Sequence, residues 1–295
     1  MENIFQAVSV PPAILQPQMG EYLDPVSGLI YCKICHTPRQ CKVVIGGNLM
    51  LPRCTCQCQQ ERLRQEEEEE KARRFRLEID RNRSIGLPNP SLRKQTFETD
   101  LGYNPEAMSR ARNYVSHWEE FYKEGIGLLF WGSVGTGKSF LAGCIANALL
   151  DRGVRVMMTN CSRILNQLSG LRSGENNRFI DGLCAFELLI IDDLGMERGS
   201  EYAREQIFSV IDSRYRSGRP TIYTTNIHID QLKNTTDLND RRIFDRVLER
   251  CIPVVVNDQH VRELRSRRFR EKGDKLLREK PLPERNYLSH GASRS

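Results

Sequence analysis

Residues Gly132–Ser139 read GSVGTGKS, and they lie between the apolar runs LLFW at 128–131 and FLAGCIANALL at 140–150. A strand, a glycine-rich loop ending in Lys-Ser and a helix form the context that the phosphate-binding pattern G-x-x-x-x-G-K-S requires. Glycines allow backbone N–H groups to approach phosphates, and the N-terminus of the helix adds a favourable dipole. The stretch predicts a nucleotide site, for ATP with Mg²⁺, made of Gly132, Ser133, Val134, Gly135, Thr136, Gly137, Lys138, Ser139 and Phe140.

Polar side chains of two segments have expected roles at this site. Lys138 can reach the β and γ phosphates, and the Ser139 hydroxyl can ligate Mg²⁺. The stretch FELLIIDD at 186–193 is an apolar strand that ends in two carboxylates. We expect Asp192 to hold Mg²⁺ through water and Asp193 to polarise the attacking water.

Two more polar side chains are candidates for handling that water. Glu197, four residues after Asp193, is the alternative base. Asn226 ends the strand PTIYTTN at 220–226, where ligands bind in open α/β sheets. We expect Asn226 to orient the water near the γ phosphate, although an Asn that starts a turn is the plain structural alternative.

Arginines near the C-terminal end of the chain are candidates for stabilising phosphate charge. In DRRIFDRVLER at 240–250, Arg242 and Arg246 are four residues apart and share a helix face. A guanidinium suits charge developing on a γ phosphate, and here it would reach the nucleotide of a neighbouring subunit. A salt-bridged surface helix is the alternative. In HVRELRSRR, Arg262 is the candidate for a lid that folds back on the nucleotide, and Arg265 competes with it.

Composition limits the class of protein. The chain has 295 residues, 39% of them hydrophobic and 28% charged, and a net charge of +6, which permits nucleic-acid contact without demonstrating it. No apolar run has the length of a membrane span, and MENIFQAVSVPPAIL lacks the features of a signal peptide. We expect a cytoplasmic protein without a membrane partner, whose ten cysteines are thiols or metal ligands.

The order of apolar runs predicts an α/β fold. The runs LLFW, VRVMMT, FELLIID, PTIYTTN and IPVVV alternate with amphipathic segments, as in a central parallel sheet flanked by helices. The stretch QQERLRQEEEEEKARRFRLEIDRNR is charged and helix-forming, without an apolar stripe. The expected segments are a weakly ordered N-terminus at 1–30, a cysteine-rich zinc-binding module at 31–60, a charged helical linker at 61–87, an ATPase domain at 88–265 and a basic, flexible tail at 266–295.

Cysteines concentrate before the charged stretch. Six of the ten lie there, namely Cys32, Cys35, Cys41, Cys54, Cys56 and Cys58. Paired knuckles of this kind supply four thiolates to a tetrahedral Zn²⁺, and metal binding would provide the folding energy of so small a segment. We expect Cys32 and Cys35 to bind zinc with two of Cys54, Cys56 and Cys58. His36 and Cys41 are further candidate ligands, and free thiols or an iron–sulfur cluster are the alternatives. The other four, in apolar contexts, are expected in the core: Cys144, Cys161, Cys184 and Cys251.

Taken in this order, the motifs resemble the AAA+ ATPases. The closest resemblance is to the DnaC/DnaI-type replicative helicase loaders, with the IstB-type transposition ATPases as near kin. It covers roughly residues 88–265 and rests on WGSVGTGKSFLAGCIANALLDRG, TNCSRILNQLSGLRSGENNRFIDGLCAFELLIIDDLG, IYTTN and LNDRRIFDRVLERC. It implies Walker A at Gly132, Gly137, Lys138 and Ser139, Walker B at Asp192 and Asp193, sensor 1 at Asn226, the arginine finger at Arg246 and sensor 2 at Arg262.

The resemblance also implies partners. Such loaders form ATP-dependent oligomers, bind single-stranded DNA, and grip a hexameric DnaB-type helicase through their N-terminal part, which in DnaI-type loaders carries zinc. DNA contacts are then expected from the basic residues Arg163, Arg172 and Arg178, with Phe179 stacking on a base. The expected function is loading of a replicative helicase onto single-stranded DNA. The alternatives are a transposition ATPase that binds DNA and activates a transposase, and a zinc-dependent adaptor whose ATP site only holds structure.

Overall fold

The computed structural model describes residues 16–172, 174–195, 201–256 and 261–278. The chain divides into two compact units, Met1–Leu77 and Glu78–Ser295. Across the described residues, no helix has both the length and the apolar character needed to span a bilayer.

The N-terminal unit contains two small antiparallel hairpins. Strands β1 (Glu21–Leu23) and β2 (Ile30–Cys32) form the first, and β3 (Val43–Ile45) and β4 (Asn48–Met50) form the second. Helix α1 (Gln57–Gly86) follows, so the charged helix begins four residues before the expected boundary at 61. Because α1 includes Cys58, the cysteine-rich segment and the helix overlap.

Order in this unit begins earlier than the sequence suggested. Residues 1–30 were expected to be weakly ordered, yet β1 lies within that range and pairs with β2, which begins at its end. Residues 1–15 lie outside the described residues. The reason is a buried carboxylate: Glu21 accepts hydrogen bonds from the Gln18 N–H at 2.8 Å and from Arg53 Nη1 at 2.9 Å. Arg39 Nε lies 3.1 Å from the same side chain. A short stretch of sequence does not reveal ion pairs between residues as far apart in the chain as Glu21 and Arg53.

The C-terminal unit contains a five-stranded parallel sheet, which confirms the predicted α/β class. Its strands lie in the spatial order β6-β7-β8-β5-β9. They are β5 (Gly127–Trp131), β6 (Val156–Asn160), β7 (Leu188–Asp192), β8 (Thr221–Thr225) and β9 (Cys251–Val255). The helices of this unit are α2 (Pro105–Ser116), α3 (Trp118–Glu124), α4 (Lys138–Asp151), α5 (Cys161–Ser169), α6 (Asn176–Cys184), α7 (Glu201–Arg216), α8 (Ile229–Lys233), α9 (Leu238–Arg250) and α10 (Val261–Arg278).

Helices cover both faces of the sheet, as parallel strands require. Leu128 and Phe130 of β5 pack with α2 and α4 on one face, and Leu129 packs with α5, α7 and α9 on the other. Because successive strand residues point to opposite faces, an apolar run such as LLF fills both cores at once. Cys144, Cys161 and Cys251 are buried as expected, while Cys184 is half-buried.

Helix α10 runs from Val261 to Arg278 and crosses the position, 265/266, at which the flexible tail was expected to begin. The helix-forming residues RSRRFREKGDKLLR continue past that point, and the boundary of the ATPase domain at 265 stays a prediction. The rest of the expected tail, 279–295, lies outside the described residues.

A buried guanidinium joins the starts of two strands. Arg214 of α7 is 1% exposed. It donates to the carbonyls of Phe186 at 2.7 Å and Glu187 at 2.9 Å, the two residues that precede β7. It also donates to the Pro220 carbonyl at 2.6 Å, before β8. Burial lowers the pKa of Arg214 to about 10, so it stays charged at neutral pH. No sequence pattern marks Arg214 as buried, because an arginine in a charged helix is ordinarily solvent-exposed.

Replacing Arg214 with Met should lower the free energy of unfolding by about 3 kcal/mol or more, because several buried carbonyls lose a charged donor. Denaturant unfolding followed by circular dichroism measures this. Arg216→Met is the matched control on the same helix: its side chain is 76% exposed, so the loss should stay within about 1 kcal/mol. Equal losses in the two variants would contradict a joining role for Arg214.

Candidate nucleotide site and four-thiol cluster

The glycine-rich loop connects β5 to α4 at the carboxyl edge of the sheet. Gly135 and Gly137 have φ of 83° and 105°, in the left-handed region that favours glycine. Gly137 is the N-cap of α4, so the loop turns directly into the first helical residue, Lys138. The loop therefore presents backbone N–H groups and a helix N-terminus to the same space, which is the arrangement that binds phosphates.

Lys138 lies across the loop instead of projecting into solvent. Its side chain is largely buried, and Nζ donates to the carbonyls of Gly132 at 2.9 Å and Ser133 at 2.6 Å. These bonds hold the Lys138 ammonium group beside the loop, where the phosphates would bind. A compact positive charge at this position suits the β and γ phosphates of a nucleotide.

One carboxylate oxygen connects the loop helix to two strands. Asp192 Oδ1, at the end of β7, accepts from the Ser139 hydroxyl at 2.8 Å and from the Thr224 hydroxyl at 2.6 Å. Burial raises the pKa of Asp192, while the two hydroxyl donors act in the opposite direction. Ser139 uses its proton on Asp192, so its oxygen lone pairs remain for a cation. Hydroxyl and carboxylate oxygens are the ligands that Mg²⁺ prefers, and the residues present fit a Mg²⁺ site.

The second acid lies in a strained turn. Asp193 has φ of 58°, in the left-handed region, and its N–H donates to Thr224 Oγ1 at 2.9 Å. The turn exposes the Asp193 side chain at the cleft, where Asn226 also lies just beyond β8. The structure thus brings together the loop and these two predicted water-handling residues, whose catalytic roles stay predictions.

A cleft of about 450 Å³ opens over the loop. Its lining includes Val134–Leu141, Asp193 and Asn226, and also residues that sequence analysis did not select: Gln95, Asp100, Leu101, Tyr103, Asn104 and Met108. Asn104 is tied to the loop, because its Nδ2 donates to the Thr136 carbonyl at 2.8 Å. The volume is within the range of small-molecule sites. The segment 95–108 carries no motif, and only the fold shows that it forms one wall of the cleft.

The predicted arginines do not line this cleft in the part of the chain that is described. Arg246 Nε is 2.7 Å from Asp212 Oδ1, and its guanidinium lies over the Phe208 ring at 4.8 Å. Arg242 and Arg250, on the same helix, are exposed. A trans role for Arg246 would therefore require it to leave an ion pair within its own chain. Glu197 lies outside the described residues, as do the side chains of Arg262 and Arg265.

The residues expected to contact DNA divide into two kinds. Arg163, Arg172 and Arg178 are exposed, as a DNA contact requires. Phe179 is instead half-buried and packs against the core that contains α5 and α7. Its stacking on a base stays a prediction.

Four of the candidate thiols meet in the N-terminal unit. The Sγ atoms of Cys32, Cys35, Cys56 and Cys58 all lie within 4.8 Å of one another, with Cys32–Cys58 at 3.6 Å and Cys56–Cys58 at 3.4 Å. Zinc–thiolate bonds of about 2.3 Å in a tetrahedron give S···S separations of about 3.8 Å, so the donor set fits zinc.

The other candidate ligands of this segment lie outside that cluster. Cys54 Sγ instead bonds the Pro38 carbonyl at 3.5 Å, Cys41 Sγ the Pro52 carbonyl at 3.8 Å, and His36 Nδ1 lies 3.3 Å from the Tyr22 hydroxyl. The spacing C-x-C-x-C left the choice among three cysteines open, and the fold distinguishes them.

Residues 60–270 match the family model described as IstB-like ATP binding protein. The chain belongs to this family.

Relatives of this IstB-like chain include the replicative helicase loader DnaC of Escherichia coli (strain K12). It is 31% identical over 156 residues, which are 52% of this chain and 61% of the relative. The DnaC of Buchnera aphidicola subsp. Schizaphis graminum is 30% identical over 146 residues, 48% of this chain and 57% of the relative. The matched region thus spans less than two thirds of the length of these relatives. The curated relatives confirm the resemblance to DnaC-type loaders.

A solved structure supports the same fold. The crystal structure of the DnaC helicase loader aligns with a TM-score of 0.51 and 26% identity, and covers 57% of this chain and 99% of that chain. The predicted AAA+ fold is confirmed, and this IstB-like protein is an ATP-binding P-loop NTPase.

Replacing Cys56 with Ser should remove zinc from the purified full chain, because one of the four clustered thiols is lost. Cys54→Ser is the matched control, two residues away, and should keep about one zinc per chain. Metal content is measured by inductively coupled plasma mass spectrometry. Zinc lost in Cys54→Ser and kept in Cys56→Ser would contradict the ligand set.

Proposed function

We propose that this chain is an ATP-dependent loader that delivers a DnaB-type hexameric helicase onto single-stranded DNA. The observation that carries the proposal is the Ser139–Asp192–Thr224 hydrogen-bond chain beneath a glycine-rich loop, in a protein related to helicase loaders. We place it in the cytoplasm, where replicating bacterial DNA lies.

Each part of the site has a role in hydrolysis. Backbone N–H groups of the loop and Lys138 bind the phosphates and hold the γ phosphate at the mouth of the cleft. Mg²⁺, when bound, offsets charge that develops on the phosphate oxygens. Asp193 accepts a hydrogen bond from the attacking water, and Asn226 orients that water for in-line attack. Asp192 accepts hydrogen bonds from the Ser139 and Thr224 hydroxyls, which fix the carboxylate that would face Mg²⁺.

Self-association is the second part of the proposal. No arginine among the described residues lines the nucleotide cleft, so a charge that stabilises the γ phosphate would come from elsewhere. We propose that Arg246 supplies it to the neighbouring subunit, exchanging Asp212 for phosphate oxygens. Hydrolysis is then coupled to assembly, because Arg246 would reach the γ phosphate from a neighbouring subunit.

Mixing two inactive variants tests the exchange. Lys138→Ala should lose ATP binding but keep Arg246, and Arg246→Ala should bind ATP but hydrolyse it about a hundredfold more slowly. Mixed together, they should recover a measurable fraction of the wild-type rate, since a Lys138→Ala subunit can donate Arg246 to its neighbour.

Thermal unfolding of Arg246→Ala separates a role at the neighbouring subunit's phosphate from a structural role in the ion pair with Asp212. A variant that melts earlier and whose activity is never recovered by mixing would show that Arg246 only neutralises Asp212. Arg242→Ala is the control on the same helix, and it should hydrolyse ATP at a rate close to the wild type because its side chain is exposed and not placed at the phosphate.

The N-terminal unit is the proposed contact with the helicase. It exposes apolar side chains on its second hairpin, including Val44, Ile45 and Leu49, at 55% exposure or more. Exposed apolar clusters of this kind mark protein interaction sites. The four-thiol cluster would hold the unit folded when zinc is bound.

Mass photometry of the full chain with ATP and the host replicative helicase tests this proposal. We expect a stable complex that is lost when residues 1–77 are deleted, while the truncated chain still binds ATP. Because the deletion follows the boundary between the compact units, the second unit should keep its fold. Retention of the complex without residues 1–77 would assign the contact to the other unit.

The transposition ATPase is the second candidate, and the IstB-like family model supports it more weakly than the DnaC relatives support the loader. It predicts activity with a transposase and binding to duplex DNA. A chain that hydrolyses ATP, forms no helicase complex and stimulates a transposase would replace the loader by this function. A structural ATP site in a zinc-dependent adaptor predicts instead that the wild-type chain does not hydrolyse ATP. An ATPase rate that is lost in Lys138→Ala would remove this alternative.

A further inference from the structure

A buried threonine lies between the two acids of the site. Thr224 is fully buried in β8, and its hydroxyl donates to Asp192 Oδ1 at 2.6 Å and accepts from the Asp193 N–H at 2.9 Å. The directions are fixed by chemistry: the amide can only donate, so the single hydroxyl proton is used on the carboxylate.

This one hydroxyl fixes two different groups. It orients the carboxylate of Asp192 and holds the backbone of Asp193 in its left-handed turn. A left-handed conformation costs a non-glycine residue about 1 kcal/mol, so an interaction has to hold it. The Leu194 N–H also donates to the Thr224 carbonyl at 2.8 Å, which fastens the same turn to the same residue.

The position of Thr224 along β8 adds a link to Asn226. The strand places Thr224 beneath the acids and, two residues farther on, Asn226 at the cleft. A shift of β8 would therefore move Asn226 and disturb both acids together. The hydroxyl of the next residue, Thr225, also forms two hydrogen bonds, to the Leu194 carbonyl at 2.7 Å and from the Ile227 N–H at 3.2 Å, but neither partner is an acid of the site.

We propose that Thr224 is a positioning residue for hydrolysis, whose hydroxyl sets the Asp192 carboxylate for Mg²⁺ and the Asp193 side chain for the attacking water. The inference rests on the proposed ATPase activity and is independent of helicase loading. With this role, the end of β8 fixes the positions of Asn226 and of both acids relative to one another.

Three substitutions test it. Thr224→Val keeps the β-branched shape and removes the hydroxyl, and Thr224→Ser keeps the hydroxyl. Thr225→Val is the matched control, since it removes an equally buried hydroxyl of the next residue, which bonds the Leu194 carbonyl and the Ile227 N–H.

We expect Thr224→Val to lower kcat for ATP about tenfold or more while KM for ATP stays within about threefold. Thr224→Ser should stay within about threefold of the wild-type kcat, and so should Thr225→Val. A second readout needs no turnover: the Mg²⁺ concentration for half-maximal binding of a fluorescent ATP analogue should rise about fivefold in Thr224→Val alone.

The outcomes separate this inference from the proposed function. Equal loss of kcat and equal Mg²⁺ dependence in Thr224→Val and Thr225→Val would overturn it, because the effect would then be loss of packing alone. If the wild-type chain hydrolyses no ATP, the proposed ATPase fails, and the Mg²⁺ titration still decides the role of Thr224. An unchanged Mg²⁺ dependence in Thr224→Val would then overturn the inference as well.

Discussion

Oxygen Oδ1 of Asp192 accepts two hydroxyl hydrogen bonds, one from the first turn of α4 and one from β8. Through this atom the loop helix, the acidic strand and the neighbouring strand keep a fixed relation at the carboxyl edge of the sheet. The carboxylate is costly to bury, and the two donors offset part of that cost. The rest of the site depends on this arrangement, because Lys138, Asp193 and Asn226 are carried by the same three elements.

The parts of the site that carry a local motif could be predicted from sequence. GSVGTGKS is decisive because each of its residues meets a steric or electrostatic requirement of phosphate binding, and the acidic pair in LLIIDD follows a strand. Thr224 carries no such signal, since a threonine in TIYTT is equally typical of any buried strand. Gln95 and Tyr103 line the cleft only because the chain passes over the loop before reaching α2. Contacts between distant segments are set by the fold, and one sequence does not encode them in a short pattern.

Contacts between distant segments also decide the ligand set of the four-thiol cluster and the partners of the arginines. Spacing predicted a four-thiol site but left its members open, because C-x-C-x-C offers several equivalent pairs. The fold selects Cys56 and Cys58 by placing them beside Cys32 and turning Cys54 toward a carbonyl. Helical spacing indicated that Arg246 shares a helix face with Arg242, and both guanidinium groups lie over the Phe208 ring. It did not reveal the partner of Arg246, Asp212, which belongs to another helix. Arg214 is the opposite case: its guanidinium is buried and bonds to carbonyls before β7 and β8.

The central claim is that Asp192, held by Ser139 and Thr224, forms the Mg²⁺ side of an ATP site. A crystal structure of the full chain with Mg²⁺ and a non-hydrolysable ATP analogue tests this most directly. We expect Mg²⁺ bound to the Ser139 hydroxyl, with Asp192 reaching it through water and with the Thr224 hydroxyl still bonded to both acids. Mg²⁺ held away from Ser139 and Asp192, or a nucleotide bound outside the cleft over Gly132–Ser139, would contradict the account.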